Sequence, residues 1–155
     1  MYKKLSFLTI FICTIILMAV STGYAATELK LNPNLNYSSD SNDGPPITGD
    51  NMNDGVVHAG KPAYIIFYHR ECYNSKRQAR RTVELYEKYS GKVDFIVVDL
   101  DSNISKEQKE LKDRFYRSYI PHVTIIEGKS KVVYDSSGEV GTNTISKILD
   151  KALAG

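Results

Sequence analysis

The sequence predicts an α/β domain in which a mixed sheet is flanked by helices. The segments typical of strands and helices follow one another in the order β-α-β-α-β-β-α, which favours a sheet covered by helices. Hydrophobic residues make up 42% of the chain and charged residues 25%, as in ordinary globular proteins. A chain of 155 residues has room for one such domain with its core. This composition excludes a collagen-like chain, a coiled coil and a wholly disordered protein.

The first segment has the three parts of a secretory signal peptide. Lys3 and Lys4 precede an apolar run over residues 5–20, and small residues around Tyr24 follow it. This pattern predicts a signal peptide over residues 1–25, cleaved after Ala25. The alternative is an uncleaved membrane anchor, for which the run is somewhat short of the ~20 residues of a span. We therefore expect an exported protein, periplasmic or extracellular, that is membrane-associated only if the signal is retained.

Charge and cysteine content narrow the classes of function. Cys13 lies within the signal, so the mature chain would keep one thiol, Cys72, in an oxidising compartment. Without Lys3 and Lys4 the chain has 18 basic and 18 acidic residues, which gives no electrostatic case for nucleic-acid binding. The three histidines, the thiol and the scattered acids have no metal-ligand spacing. We therefore expect no metal and no cofactor.

Residues 26–55 are predicted to form a flexible polar lead. Asn, Asp, Ser, Gly and Pro dominate this segment, and its apolar residues are too sparse to offset the entropy of ordering. The lead should therefore lack regular structure. Its deletion should leave the melting temperature of the following domain nearly unchanged.

Residues 56–155 carry the regular elements of the predicted domain. Short apolar runs predict strands, helical spacing with a basic off-core face predicts the first helix, and a capping box formed by Ser105 and Gln108 opens the second. The second helix has an apolar stripe that extends to Tyr119, and the last helix should bury Leu153. The predicted ranges are a strand over 63–68, a helix over 73–90, a strand over 93–98, a helix from 105, strands over 123–126 and 131–134, and a helix over 142–153.

One loop holds the residues that could take part in a chemical reaction. The first predicted strand ends at Tyr68, and Cys72 then opens a helix, where free N–H groups and the helix dipole favour a thiolate. Positive charge nearby comes from Arg70, Lys76, Arg77, Arg80 and Arg81, whereas Glu71 opposes it. These features predict a pKa of Cys72 below the ~8.5 of a free thiol. Further along the chain, Ile120-Pro121 precedes a strand, where a cis proline could bring the backbone beside the thiol.

Taken together, residues 56–153 resemble a thioredoxin-fold domain. The resemblance rests on the order and spacing of the segments IIFYHRECYNSK, FIVVDLD and YIPHVTI, which include Cys72, Ser75 and Ile120-Pro121. It implies a thioredoxin-like mixed sheet flanked by helices over residues 56–155. It also implies an active loop at Cys72 and a cis bond before Pro121.

The sequence departs from the family pattern at the site itself. The second cysteine of the family's Cys-X-X-Cys is Ser75, the tryptophan before the first cysteine is Glu71, and the buried acid six residues earlier is Ile66. A disulfide swap needs a second thiol to release the mixed disulfide, and Ser75 cannot supply it. The resemblance therefore implies chemistry limited to one thiol.

Each candidate site residue has a functional and a structural interpretation. Cys72 is either a monothiol nucleophile or a leftover thiol on a binding domain. Ser75 is either a hydrogen-bond donor to the Cys72 thiolate or a hydroxyl that bonds the helix backbone. His122 either neighbours Cys72 and moves a proton, or is a solvated histidine beside a loop. Tyr73, together with Ile120 and Pro121, would form the surface that contacts a bound peptide.

The sequence thus leads to two functions of different classes. The first is monothiol thiol-disulfide exchange through Cys72, either limited to mixed-disulfide formation or isomerase-like, with exported protein thiols or small thiols as partners. The second is a non-catalytic module that holds an extended peptide in the groove around Cys72, Tyr73 and Pro121. A covalent dimer linked through Cys72 is a third alternative.

Overall fold

The computed structural model describes residues 28–50, 52, 54–128 and 130–155. The predicted signal peptide over residues 1–25 lies outside these described residues. The elements in chain order are β1 (Lys30–Leu31), β2 (Ile47–Thr48), β3 (Ala63–Tyr68), α1 (Tyr73–Tyr89), β4 (Asp94–Asp99), α2 (Lys106–Phe115), β5 (His122–Glu127), β6 (Lys131–Ser137) and α3 (Thr142–Ala154).

A four-stranded mixed sheet forms the centre, in the order β4-β3-β5-β6. Strand β3 pairs parallel with β4 and antiparallel with β5, and β5 pairs antiparallel with β6. All six residues of β3 are buried, as expected for an apolar strand that is covered on both faces. The predicted α/β class and the predicted single sheet of four strands are therefore confirmed.

The two faces of the sheet carry separate apolar clusters because side chains alternate along β3. Tyr64, Ile66 and Tyr68 face a cluster that includes residues of α1 and α3. Ile65 and Phe67 face the other cluster, to which α2 contributes Phe115. The packing of helices on both faces fixes the end of β3, from which the loop to Cys72 begins.

Helix α2 begins at the predicted capping box but ends earlier than its apolar stripe predicted. Ser105 Oγ accepts the N–H of Gln108, and the Gln108 side chain accepts the N–H of Ser105. The helix ends at Phe115, and Ser118 then takes a left-handed φ of 68°. This turn directs the chain toward Pro121 and leaves Tyr119 72% exposed, so the prediction of Tyr119 as a core residue is wrong. In α3, Leu153 is likewise exposed, and the adjacent Ala152 is buried instead.

The lead is structured over residues 28–50, contrary to prediction. Strands β1 and β2 pair antiparallel, and Leu29 and Ile47 are buried in the cluster shared by α1 and α3. The few apolar residues of the lead are spaced so that they reach this cluster. The prediction of a flexible lead without regular structure is therefore wrong for these residues.

Two further features complete the fold. The peptide bond between Ile120 and Pro121 is cis, as predicted. Among the described residues, none of the helices combines the length and the apolar character needed to cross a membrane.

Candidate functional site

Cys72 lies at the N-cap position of α1, at the end of a short loop after β3. Its N–H donates to the carbonyl of His69 at 3.4 Å, which closes a turn, and its carbonyl accepts the N–H of Lys76 at 3.0 Å. The residue is half-buried and its thiol is free. The Cys72 side chain makes no capping hydrogen bond, so its sulfur does not bind the backbone N–H groups of the first turn of α1.

Pro121 lies at the same edge of the sheet as the loop of Cys72. In the antiparallel register of β3 and β5, His122 is opposite Phe67, which places Pro121 beside the end of β3. The N–H of Gly138 donates to the Pro121 carbonyl at 2.7 Å and fixes this backbone against the end of β6. The fold thus brings Cys72 and the cis peptide to one edge, as the sequence predicted.

Ser75 lies on the buried side of the first turn of α1. Its side chain is fully buried, and its Oγ has no hydrogen-bond partner among the described residues. Neither interaction considered from the sequence is therefore formed, whether with the Cys72 sulfur or with the helix backbone. A buried hydroxyl without a partner is uncommon in folded proteins.

His122 is buried rather than solvated. Its Nε2 lies 2.7 Å from Asp135 Oδ1, and its Nδ1 lies 2.8 Å from Ser137 Oγ. The rings of Phe67 and Tyr116 pack against the imidazole. The interpretation as a solvated histidine is wrong, because the imidazole is buried. Both ring nitrogens bind side chains of β6, so neither is left for Cys72.

Tyr73 is the first residue of α1 and is half-buried. Its N–H donates to Asp40 Oδ1 at 2.6 Å, so a carboxylate of the lead caps the helix beside Cys72. The Arg77 guanidinium lies over the Tyr73 ring, 5.2 Å from its centroid. Arg77 therefore covers part of the Tyr73 surface that was predicted to bind a peptide. Ile120, on the facing loop, is half-buried.

The lead reaches the same helix through Lys76, which its position in the sequence identifies only as a positive charge near the thiol. Lys76 is fully buried. An ammonium can be buried only where polar groups surround it, and the lead supplies those groups. Its Nζ donates to the carbonyl of Asn36 at 3.0 Å, to the carbonyl of Ser39 at 2.9 Å and to Ser41 Oγ at 3.0 Å. Asp43 Oδ2 lies 3.9 Å away.

The arginines of the loop and helix are also engaged by other groups. Arg70 Nε donates to Asp99 Oδ2 at 2.7 Å. Arg77 and Arg81 both pair with Glu139, and the Glu139 carboxylate raises the pKa of Arg77. The Arg80 guanidinium lies over the ring of Tyr37. The cations that the sequence placed near Cys72 are therefore held by neighbouring carboxylates, carbonyls and a ring.

His69 and Asp101 form a second pair at this edge, which their separation of 32 residues along the chain does not predict. His69 Nδ1 lies 2.7 Å from Asp101 Oδ1, and the N–H of Arg70 donates to Asp101 Oδ2 at 2.7 Å. Partial burial opposes ionisation of Asp101, but these two hydrogen bonds prevail and lower its pKa. The pair anchors the first residues of the loop to the chain that follows β4.

The strand that leads to Cys72 carries an apolar side chain at the position of the family's buried acid. Ile66, six residues before Cys72, is fully buried in the apolar cluster. Tyr68 is also buried, its hydroxyl has no partner among the described residues, and burial together with the nearby Asp99 raises its pKa. Across the described ranges, no group of three or more His, Cys, Asp and Glu side chains is placed to hold a metal ion.

Several solved structures resemble this chain in fold. Thioredoxin-2, described as a component of the malaria parasite protein secretion machinery, aligns with a TM-score of 0.52 at 21% identity, over 63% of this chain and 89% of its own. A malarial protein aligns with a TM-score of 0.50 at 19% identity, over 60% of this chain and 98% of its own. Chloroplastic thioredoxin z gives 0.50 at 20% identity, over 62% of this chain and 81% of its own.

The sequence alone gives no such match: no protein-family model and no curated protein matches the chain. The fold is therefore assigned from the strand order, the helix that begins after Cys72, the cis peptide at Pro121 and the likeness to solved thioredoxins. On these grounds, the chain has the thioredoxin-like fold.

Proposed function

We propose that this protein carries out monothiol thiol-disulfide exchange through Cys72, with protein thiols or small thiols as partners. The observation that carries the proposal is the placement of a free, half-buried Cys72 at the start of α1, at the sheet edge where the cis peptide of Pro121 lies. In this position an incoming disulfide can approach the sulfur alongside the backbone of Ile120 and Pro121.

The chemistry ends at a mixed disulfide because the chain has no second thiol at the site. The Cys72 thiol gives its proton to solvent, and the thiolate attacks one sulfur of the partner disulfide. The partner S–S bond breaks as the new one forms, and the other sulfur leaves as a thiolate that takes a proton from solvent. Ser75 cannot displace the bound partner, so an external thiol must attack the mixed disulfide to release it.

The proposal includes export. The basic start, apolar run and small-residue end of residues 1–25 support a signal peptide, and an exported protein would meet the disulfides that this chemistry requires. Fractionation of cells that express the full chain would show a shortened protein outside the cytoplasm. A full-length product retained in the membrane would favour the anchor instead.

The test of the exchange reaction uses the full chain with Cys13→Ser, so that Cys72 is its one thiol. We expect a small symmetric disulfide to add one half of its mass to the protein, and a reducing thiol to remove it, both measured by intact mass spectrometry. The Cys72→Ser variant in the same background should add nothing. A protein that forms no adduct with accessible disulfides would contradict the proposal.

The alternative function is a binding module for extended peptides. Tyr119 is 72% exposed directly before the half-buried Ile120, so an apolar surface borders the cis peptide regardless of the thiol. A module of this kind would bind partner peptides equally well after Cys72→Ser. The exchange reaction instead requires that covalent capture of partners is lost in that variant.

A further inference from the structure

His122 has a serine on one ring nitrogen and an aspartate on the other. Ser137 Oγ lies 2.8 Å from Nδ1, and Asp135 Oδ1 lies 2.7 Å from Nε2. A carboxylate only accepts hydrogen bonds, so in the neutral imidazole Nε2 carries the proton and Nδ1 accepts the Ser137 hydroxyl. The three side chains therefore form the series of hydrogen bonds, from serine to histidine to carboxylate, that activates a serine as a nucleophile.

The register of β5 and β6 brings these three side chains together. Ser137 is opposite His122, and the hydrogen bond from the N–H of Gly138 to the Pro121 carbonyl makes them a non-hydrogen-bonded pair. Opposite side chains approach most closely in such a pair. Asp135 lies two residues before Ser137, on the same face of β6 and diagonal to His122, where a second contact can form.

The surroundings hold the base and the carboxylate in place. The imidazole of His122 is buried, and the rings of Phe67 and Tyr116 pack against it. Thr124 Oγ1 donates to Asp135 Oδ1 at 2.8 Å and so fixes the carboxylate that accepts the histidine proton. A general base must lie within hydrogen-bond distance of the proton that it accepts, and this support keeps Nδ1 at that distance from the serine hydroxyl.

Ser137, unlike its base, is exposed to solvent at the end of β6, which is an edge strand of the sheet. Val133 and Tyr134 pack toward α1 and α3, whereas the apolar cluster under α2 includes no described residue of β6. In a non-hydrogen-bonded pair the N–H of Ser137 points away from β5, toward the open edge. That N–H can donate to the oxyanion that forms when Oγ attacks a carbonyl carbon.

We propose that Ser137 is the nucleophile of a second activity, the hydrolysis of small carboxylic esters, with His122 as its general base. This activity goes beyond the exchange reaction proposed for Cys72 and does not depend on it. Ser137 and His122 are the catalytic residues. Asp135 is a positioning residue, because its carboxylate holds the histidine proton on Nε2 and leaves Nδ1 to act as the base.

The reaction has two steps and needs only the ester and water. In the first, Ser137 Oγ bonds to the ester carbonyl carbon and its proton passes to His122 Nδ1. The bond from that carbon to the alcohol oxygen breaks, and the alcohol leaves with the same proton. In the second, water attacks the acyl-serine and gives a proton to Nδ1. The carboxylic acid is released as the bond to Oγ breaks, and the proton returns to Oγ.

The test uses the full chain with Cys13→Ser and Cys72→Ser, so that no thiol can react. The probe is diisopropyl fluorophosphate, because an activated serine displaces its fluoride and forms a stable phosphate ester. Intact mass spectrometry measures the rate of addition, peptide mapping locates the modified residue, and p-nitrophenyl acetate measures ester hydrolysis. We expect one phosphoryl group on Ser137, and ester hydrolysis that stops once the protein is labelled.

Variants separate catalysis from structure. Ser137→Ala should abolish both labelling and hydrolysis. Ser136→Ala is the matched control, because Ser136 is opposite Val123 and lies on the other face of the sheet, and it should leave both rates unchanged. His122→Gln should slow labelling about 100-fold or more, which is the usual contribution of a general base. Asp135→Asn should slow it at least about tenfold, and Asp135→Glu should recover part of the rate because a carboxylate again accepts the proton of Nε2.

Two outcomes would overturn the inference. One is a protein in which the probe leaves Ser137 unlabelled. The other is labelling of Ser137 at the parent rate in Asp135→Asn, which would show that the hydrogen bonds on His122 are structural only. Asp135 and Ser137 lie at exposed positions, so their variants decide the question even if His122→Gln does not fold, and circular dichroism checks the fold of each variant.

Discussion

The ammonium of Lys76 donates a hydrogen bond to the Ser39 carbonyl at 2.9 Å, and so joins the helix of Cys72 to a segment 37 residues earlier in the chain. Lys76 is fully buried, and its other partners also belong to the lead. The lead therefore supplies the polar groups that allow a charged side chain beneath the candidate site. Without the lead, the first turn of α1 would expose this ammonium to solvent.

Lys76→Met should destabilise the protein because the carbonyls that surround the ammonium would lose their donor. Breaking one side of a buried charged network costs about 3 kcal/mol. The matched control is Lys88→Met on the same helix, where the lysine is more than half exposed and should contribute less than about 1 kcal/mol. Urea unfolding of both variants measures the difference. Equal losses in the two variants would contradict a structural role for the Lys76 contacts.

Ile47→Ala should show that the lead contributes to the stability of the domain. Ile47 is fully buried against the cluster under α1 and α3, and truncating such a side chain costs about 2–5 kcal/mol. Val56→Ala, directly after the lead at a position that is 46% exposed, should cost less than about 0.5 kcal/mol. Thermal unfolding followed by circular dichroism compares them. This expectation replaces the sequence-based one, that removing residues 26–55 leaves the melting temperature unchanged.

Much of the fold could be predicted from the sequence because its signals are local. The apolar run Ala63–Tyr68 favours a strand that is buried on both faces, and Ser105 with Gln108 forms a capping box within one turn. The lead could not be predicted, because its order depends on contacts such as that between Asn36 and Lys76, 40 positions apart. A composition rich in Asn and Ser predicts solvation unless the buried charge that it surrounds is known.

The same limit applies to the candidate site. The sequence placed Cys72 at a helix start and Pro121 in a cis bond, since both follow from local motifs. It could not reveal that His122 is committed to Asp135 and Ser137, because those partners lie on the neighbouring strand and depend on its register. The pairing of the nearby arginines likewise depends on tertiary contacts rather than on spacing along α1.

Stability should decrease at alkaline pH because of Tyr64. Its ring is fully buried, its hydroxyl bonds Thr82 and Gln78, and burial raises its pKa to about 12. The folded state therefore holds this proton more tightly than the unfolded state, where the pKa is near 10. The contribution of Tyr64 to the free energy of unfolding is complete below pH ~10 and is lost as the pH rises through ~12. The loss is on the order of 2–3 kcal/mol.

Urea unfolding between pH 9 and pH 12 would measure this loss. Tyr64→Phe should be somewhat less stable near neutral pH, because it lacks the buried hydrogen bonds, but its stability should fall less steeply above pH ~10. Tyr119→Phe, at a position that is 72% exposed, serves as the control and should follow the parent protein. Parallel pH profiles for Tyr64→Phe and the parent would contradict the assignment.

Ser75→Cys should convert the proposed monothiol site into one that turns over. The new thiol would lie in the first turn of α1 beside Cys72, where it could attack the mixed disulfide and release the partner thiol. Packing should change little, since Ser75 Oγ has no hydrogen-bond partner to lose. We expect reduction of insulin disulfides in the presence of a dithiol to rise at least about tenfold over the parent. The rate should stay below that of dithiol thioredoxins, because the buried Ile66 offers no acid to assist proton transfer.

Two controls make this last experiment decisive. Ser75→Cys combined with Cys72→Ser keeps a single thiol at the wrong position and should be inactive, because the nucleophile at the helix start is gone. Ser75→Ala keeps Cys72 and lacks the second thiol, so it should form mixed disulfides at the parent rate without turnover. If Ser75→Cys forms an intramolecular disulfide with Cys72 and still reduces no insulin, the absence of a second thiol is not what limits this site. The binding of extended peptides would then be the better account of the groove around Pro121.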